Sequence, residues 1–160
     1  QSEEFKNIHI QTTFEVHLED IIENFMDSPH TIFVHPGLIR GNHELRKRKV
    51  RVSADENEVR LEHLPVKEKV SLFSRWFNPK DQPIEHIDRF VMPCHVQVSY
   101  RFGIESLRFF AWIALRPESD TRTHVMVTLS IRFGLLNYFL CQPLKFLAKV
   151  VLFQDQSGWL

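Results

Sequence analysis

The sequence predicts one α+β domain in which an antiparallel sheet wraps a long C-terminal helix. Its 160 residues are a length typical of a single domain. Segments rich in β-branched and aromatic residues fill most of the chain, whereas helical periodicity is limited to one segment near each end. The resulting order of strand, helix, antiparallel strands and final helix is typical of an α+β fold.

The N-terminal part predicts a strand followed by a helix. The strand is expected from about Lys6 to Val16. Apolar residues then recur at helical spacing, at Leu18, Ile21, Ile22, Phe25 and Met26. Pro29 breaks or restarts this helix, and the pair Pro36 and Gly37 closes the element.

The middle of the chain predicts a hairpin and three long strands. The hairpin joins "RKRKVRVS" to "EVRLEHL" through the polar turn "ADEN", while residues 66–83 give no clear assignment. The long strands are expected at about His86–Tyr100, with a break at Pro93, then at Leu107–Leu115 and Thr123–Phe133. In the last strand, alternate apolar residues should face inward: Val125, Val127, Leu129, Ile131 and Phe133. We expect "RPESDTR" to form the turn before it.

The final helix is expected to begin near Pro143. Four apolar residues share one of its faces: Leu144, Leu147, Ala148 and Val151. Asp155 falls on that same face. Phenylalanine is frequent, with 14 residues, and we expect phenylalanines and Trp112 to lie on strands that face this helix. Such an interior suits a thick core or a bulky apolar ligand.

Composition argues against several classes of function. The formal net charge is zero, which disfavours nucleic acid or an anionic membrane as a partner. Cys94 and Cys141 belong to no CxxC or CxH pair, so an iron–sulfur cluster or structural zinc site is not expected on this chain. The most apolar segment, Tyr138–Phe153, is too polar to span a bilayer. Few cysteines and no signal peptide favour a cytoplasmic location, and Gln1 at the start leads us to expect a piece of a longer product.

The segment "ENFMDSPHTIFVHPG", residues 23–37, concentrates residue types that bind metals. Asp27 precedes His30 by three residues and His35 follows it by five. Two neutral imidazoles suit iron, zinc or copper. A straight helix would separate the two histidines by about 140°, so a shared ion requires the backbone to loosen after His30. Asp155 is the best third ligand, because a carboxylate on an apolar helix face is costly to bury unless it is paired or metal-bound.

On spacing alone, other interpretations stay open. His30 and His35 could be partly exposed residues that bind nothing, and Asp155 could be a solvated residue near the C terminus. The other histidines lack ligand-like spacing and are expected at the surface or the core edge: His9, His17, His43, His63, His86, His95 and His124.

The same segment resembles the iron-binding motif of Rieske non-haem iron oxygenase α-subunits, N-x-x-D-x-x-H-x-x-x-x-H. Asn24, Asp27, His30 and His35 fill that motif, and "PG" follows it. The tail "FQDQ", residues 153–156, is similar to the segment that carries the third iron ligand. "LRFFAWIALRPESDTRTHVMVTL" is similar to the family's aromatic strand, Pro-containing turn and "TR" strand. The resemblance covers most of the chain, least well residues 66–83, and is nearest to the monooxygenase and demethylase branch.

The resemblance implies a helix-grip catalytic domain over residues 1–160, with a mostly apolar pocket. It implies Fe(II) on His30, His35 and Asp155, with Asn24 and Asp27 as further catalytic-site residues. Asp27 would link the iron ligand His30 to a histidine of a Rieske cluster. The implied function is hydroxylation or demethylation of an apolar, aromatic or polycyclic substrate with dioxygen, and a homotrimer is one assembly that it allows.

One departure from the family concerns the electron supply. Members carry an N-terminal Rieske domain with two CxH-type pairs for a [2Fe–2S] cluster, and this sequence has none. The cluster is therefore expected from another domain or chain, either a Rieske domain or a ferredoxin with its reductase. Two other functions stay open. One is a helix-grip module that binds an apolar ligand without catalysis, and the weaker one is a hydrolytic zinc site, for which no general base is evident.

Overall fold

One antiparallel sheet and two helices form the fold in the computed structural model, which describes residues 5–27, 49–64, 85–101, 108–132 and 137–157. The strands are β1 Lys6–Phe14, β2 Val50–Ala54, β3 Glu58–His63, β4 Glu85–Val91, β5 His95–Arg101, β6 Arg108–Ser119 and β7 Arg122–Arg132. The helices are α1 Leu18–Met26 and α2 Asn137–Ser157. The predicted α+β class is confirmed.

Within the described ranges, the sheet has seven strands in the order β1-β7-β6-β5-β4-β3-β2, with β1 and β2 at its edges. Strands β2 to β6 each pair with the next strand along the chain. The pairing of β1 with β7 is instead long-range, with Ile8 opposite Leu129. This pairing brings the strand before α1 next to the strand before α2. Both helices therefore follow strands at the β1 end of the sheet.

One face of the sheet carries the core. Alternate residues of β7 are buried, and both Val125 and Ile131 have no exposed surface. The inward alternation predicted for this strand is therefore confirmed, except at Phe133, which lies outside the described residues. Both helices cover this face, since Ile21 of α1 and Leu152 of α2 belong to the same buried cluster. Burying one such side chain contributes about 1.5–3 kcal/mol.

The break predicted at Pro93 is confirmed, but the prediction that His86 to Tyr100 form one strand around it is wrong. The chain reverses at residues 92–94 and forms the hairpin β4–β5, in which Val91 lies opposite His95. Pro93 has no N–H to donate to a strand ladder, which favours a turn at this position. The turn expected over "RPESDTR" is shorter than predicted, because β6 continues to Ser119 and β7 begins at Arg122.

The predicted start of the final helix is also wrong. Helix α2 begins at Asn137, six residues before Pro143. A proline inside a helix leaves the carbonyl four residues earlier without its hydrogen bond. That carbonyl belongs to Phe139, which is exposed, so water can solvate it and the helix can continue through the proline. None of the described helices is long and apolar enough to cross a membrane.

Trp112 lies on the face of the sheet opposite the core. Its side chain is 40% exposed, between the buried residues Ala111 and Ile113. The expectation that Trp112 lines the interior is therefore wrong, whereas Phe109 does pack against the core cluster. Strand β6 carries aromatic residues on both faces, so its sequence does not indicate which face is interior.

Candidate functional site

The N-terminal half of the predicted iron motif lies at the end of α1. Asn24 is half-buried on this helix, and Asp27, just after its last residue, is exposed. The backbone N–H of Asp27 donates a hydrogen bond of 2.8 Å to the carbonyl of Glu23, which closes the last helical turn. His30 and His35 lie outside the described residues, so their assignment as ligands stays a prediction.

Asp155 lies in the last turn of α2 and is buried, with 4% of its surface exposed. Leu152, less than one turn earlier, and Leu144 are buried as well. Asp155 therefore lies on the core-facing side of the helix, as its spacing from the apolar residues predicts. The next residue, Gln156, donates a hydrogen bond of 2.8 Å from Nε2 to the backbone carbonyl of Thr13, which ties the end of α2 to β1.

The two described segments of the predicted site cover the same face of the sheet. Helix α1 packs across β4, β5 and β6, and α2 packs against β1. Both helices contribute apolar side chains to one buried cluster. The fold therefore places Asn24, Asp27 and Asp155 on elements that share one side of the sheet.

A second group of metal-binding residue types is buried on this face, and we call it the His63–Asp88–His86 cluster. His63 on β3 lies directly opposite His86 on β4, and Asp88 is two residues further along β4. Nε2 of His63 donates to Oδ2 of Asp88 and Nε2 of His86 donates to Oδ1, each at 2.8 Å. All three residues are buried, with exposures of 8%, 6% and 2% in the order His63, His86 and Asp88. The expectation that His63 and His86 lie at the surface or the core edge is therefore wrong.

The imidazoles of this cluster are stacked. The ring centroids of His63 and His86 are 4.1 Å apart and their planes differ by 10°. On its other side, His86 stacks on the ring of Tyr100 at 4.2 Å and 8°. Three parallel rings thus span β3, β4 and β5, and their packing fixes the orientation of both histidines.

Hydrogen bonding keeps Asp88 ionised. Burial alone raises the pKa of this carboxyl, but hydrogen bonds from His63 and His86, together with their charges, hold the pKa below its ordinary value of 3.8. An ionised carboxylate only accepts hydrogen bonds, so Nε2 of each histidine must carry a proton. Asp88 therefore keeps a proton on Nε2 of both rings.

By type and proximity, the His63–Asp88–His86 cluster is a candidate metal-binding group, since one ligand atom from each residue lies within 4.8 Å of the others. The stacking opposes coordination by both rings as they stand. A metal about 2.0–2.1 Å from each nitrogen has to lie near both ring planes. Between parallel rings at about 3.5 Å van der Waals spacing, it would lie about 1.7 Å out of each plane. One imidazole would therefore have to rotate before both could bind one ion.

This cluster and Asp155 occupy different parts of the sheet. Asp88 is on β4, whereas the end of α2 is tied to β1, which is four positions away in the strand order. At about 4.8 Å per strand, this is about 19 Å along the sheet. Ligands of one ion lie only about 2 Å from it, and α2 packs mainly against β1, which favours two separate sites for the two carboxylates.

Sequence reasoning missed the cluster although part of its signal was present. On a strand, the spacing of His86 and Asp88 in "EHIDRF" puts both side chains on one face. Their contact with His63 depends on the register between β3 and β4. Most of the connection between these strands, residues 66–83, carried no clear structural assignment, so that register could not be predicted.

Comparison with known families gives one match that covers most of the chain. The model of the family described as "Vanillate O-demethylase oxygenase C-terminal domain" matches residues 14–151. The matched range includes Asn24, Asp27, His30 and His35 and ends four residues before Asp155. No curated protein matches the sequence.

Solved structures share the fold at low sequence identity. Dicamba monooxygenase bound to dicamba superposes with a TM-score of 0.79 at 15% identity, over 96% of this chain and 47% of that one. NdmB of Pseudomonas putida CBB5 has a TM-score of 0.74 at 19% identity, over 99% of this chain and 42% of that one. NdmA of the same organism, with caffeine, has a TM-score of 0.75 at 14% identity, over 96% and 42%. This chain thus spans less than half the length of these three structures.

Proposed function

We propose that this chain, which belongs to the family of vanillate O-demethylase oxygenase C-terminal domains, hydroxylates or demethylates an apolar substrate with dioxygen as an iron(II)-dependent catalytic domain. Family membership gives the class, the catalytic domain of a Rieske-type oxygenase. The observation that carries the proposal to particular residues is the buried carboxylate of Asp155 on the core-facing side of α2.

We assign the iron to His30, His35 and Asp155. Two imidazoles and one carboxylate suit iron(II) and leave coordination positions open, and iron supplies the activation of dioxygen when it is bound. A carboxylate that is only 4% exposed fits this role, because a cation compensates for its loss of hydration. The apolar residues around it, such as Leu152, keep bulk water away from the site.

Asn24 and Asp27 complete the proposed site on the side of α1. Asp27 is exposed at the end of this helix, a position that supports a role at a docking surface. We propose that its carboxylate orients His30 and faces a histidine of a Rieske cluster, as carboxylates next to metal-bound histidines commonly do.

The proposed reaction requires an external electron supply. Residues 1–160 form a single catalytic domain in this proposal, and the sequence contains no CxH pair for a Rieske cluster. Cys94 and Cys141 are both free cysteines and lie 47 positions apart in the chain. We therefore propose a [2Fe–2S] cluster on another domain or chain, supplied by a Rieske domain or a ferredoxin with its reductase. We further propose that the protein assembles as a homotrimer and is located in the cytoplasm.

The proposed substrate is aromatic or polycyclic. Two features support it: the core face of the sheet is lined by apolar residues, and the structures of similar fold were solved with dicamba and with caffeine. The family description names a demethylase, which supports demethylation beside hydroxylation.

Iron loading followed by reconstitution tests the proposal. The purified chain is loaded with iron(II) without oxygen, and its iron content is measured. A separately purified Rieske protein and its reductase are then added, and dioxygen uptake and products are followed with a panel of aromatic and polycyclic compounds. We expect about one iron per chain and turnover only with the cluster protein, because iron(II) gives one electron and hydroxylation consumes two. Steady turnover without any cluster protein would contradict the proposal. If the chain takes up no iron but binds apolar compounds tightly, it is instead a binding module.

A further inference from the structure

Asp155 occupies a part of its helix that is ordinarily loose. Helix α2 ends at Ser157, two residues after Asp155. The last four carbonyl groups of a helix have no partner within it, and helix ends open more readily than helix centres. A residue that binds a metal has to be held to within about 0.5 Å, so the last turn of α2 needs an anchor if Asp155 is a ligand.

Gln156 provides such an anchor on the edge of the sheet. Its Nε2 donates a hydrogen bond of 2.8 Å to the carbonyl of Thr13. Among the described strands, β1 lies at the edge of the sheet and pairs only with β7. The amide of Gln156 thus binds a carbonyl on the chain's edge strand and fastens the last turn of α2 to it.

The acceptor of this hydrogen bond is itself held firmly. Thr13 lies opposite His124 in the β1–β7 pair, and its Oγ1 is 3.2 Å from Nδ1 of that histidine. The next residue, Phe14, is 2% exposed in the core. Gln156 therefore binds a residue, Thr13, whose backbone and side chain are both held by β7.

The direction of the anchor sets the direction of Asp155. Consecutive residues of a helix point about 100° apart. With Gln156 directed at the β1 edge, Asp155 is turned to the core-facing side, where it is 4% exposed. A rotation or unwinding of this turn would move the carboxylate away from the core, and the Gln156–Thr13 hydrogen bond opposes both.

We propose that Gln156 is a positioning residue for Asp155 and holds its carboxylate in the orientation that binds iron. This inference rests on the proposed function, in which Asp155 is an iron ligand. Gln156 does not touch the metal. It acts through the geometry of the last helical turn, so its loss should weaken metal binding more than it weakens the fold.

Cobalt(II) is the probe for this inference, because its visible spectrum reports coordination and it does not require exclusion of oxygen. Wild type is compared with Gln156→Met, which keeps an unbranched side chain but has no donor, and with Gln156→Asn, whose amide is one methylene too short to reach. Gln142→Met is the matched control, since Gln142 is exposed on the same helix. Gln156→Lys restores a donor at similar reach. Cobalt affinity, the cobalt spectrum and the thermal unfolding midpoint without metal are measured for each protein.

We expect Gln156→Met and Gln156→Asn to bind cobalt 10- to 100-fold more weakly than wild type, the range typical of residues that support a metal ligand. Their spectra should shift, Gln156→Lys should recover most of the affinity, and Gln142→Met should match wild type. Wild-type affinity in both Gln156→Met and Gln156→Asn would overturn the inference and leave the proposed function standing. A lower unfolding midpoint with unchanged cobalt affinity and spectrum would show that Gln156 only secures the sheet edge. Failure of wild type to bind cobalt or iron would overturn the proposed function, and the inference with it.

Discussion

The carboxylate of Asp88 accepts a hydrogen bond of 2.8 Å from Nε2 of His63, a residue on the neighbouring strand and 25 positions earlier in the chain. Both side chains are almost completely buried. The second oxygen of Asp88 accepts an equal bond from His86. A buried carboxylate with both oxygens bonded ties β3 to β4 near the open edge of the sheet, where the next strand, β2, is exposed along its whole length.

Asp88→Asn should destabilise the fold. Asparagine keeps the shape, but its NH₂ group then faces an Nε2–H donor, so one imidazole must move its proton to Nδ1 or lose this hydrogen bond. Breaking one side of a buried charged pair costs about 3–5 kcal/mol, and losing a hydrogen bond to a charged group costs about 1.5–3 kcal/mol. We expect a loss near 3 kcal/mol within these ranges, measured by urea unfolding. The control is Asp120→Asn, an exposed residue in the β6–β7 turn, which should change stability little. Equal losses in the two variants would contradict the role of Asp88.

The same carboxylate should make stability depend on acid pH. The pKa of Asp88 in the folded chain lies below its ordinary value of 3.8. The unfolded chain therefore takes up the proton first as pH falls, and folding loses the contribution of the ionised form. This contribution is complete above the unfolded pKa and disappears as pH falls through the folded pKa. We expect the stability difference between wild type and Asp88→Asn to shrink as pH falls below about 4, as the linkage between pKa and stability requires. A difference that does not change with pH would show that charge is not the cause.

Glu58 offers a comparison for this pH effect. The pKa of Glu58 is also lowered, by its hydrogen bond with the Arg89 guanidinium. This pair lies on the half-exposed face of the sheet, where solvent weakens ion pairs. We expect Glu58→Gln to change the acid dependence less than Asp88→Asn, in parallel urea titrations at each pH. A larger effect of Glu58→Gln would mean that the surface pair dominates acid unfolding.

Local sequence patterns predicted the strands and helices that bury a single face, because their apolar residues recur at one regular spacing. Alternation gave the interior of β7, and helical spacing gave α1 and placed Asp155 on the core-facing side of α2. These assignments succeed because the buried face of a strand or helix needs apolar residues at a fixed period. The resemblance to the Rieske oxygenase family then gave the class of fold and function that the family match bears out.

Features that depend on tertiary contacts were not predictable in this way. The reversal at Pro93 interrupts an apolar pattern that reads as one strand, and Trp112 stands among apolar residues on both faces of β6. The local sequence pattern determines neither the strand partner of β4 nor which face of β6 is exposed. The burial of His63 and His86 has the same origin, since it results from register between strands. Histidine is intermediate in burial, so residue type alone does not decide its location.

Iron content should distinguish the proposed iron site at Asp155 from the His63–Asp88–His86 cluster. Asp155→Ala removes one proposed ligand, and we expect the folded variant to lose most of its iron after dialysis against a chelator. Asp88→Asn alters the His63–Asp88–His86 cluster and should keep its iron, because the stacked rings do not converge on one ion. Iron is measured by elemental analysis, and folding by circular dichroism, at a temperature where both variants are folded. Retention in Asp155→Ala with loss in Asp88→Asn would move the metal site to the cluster.

Asp27→Asn should separate iron binding from electron transfer. The side chain lies at the exposed end of α1, three residues before His30, and the substitution keeps its shape while removing its charge. If the carboxylate orients His30 toward a Rieske histidine, its loss should leave the iron content near that of wild type. Reduction of the iron by a Rieske protein should slow by about 10- to 100-fold, the effect typical of removing a carboxylate that supports a metal-bound histidine. The rate is measured by stopped-flow mixing of the oxidised chain with a reduced Rieske protein. Asp20→Asn, which removes a charge from the first turn of the same helix, is the control for net charge. A wild-type rate in Asp27→Asn would exclude this carboxylate from the electron path, and a loss of iron would place it among the groups that hold the metal.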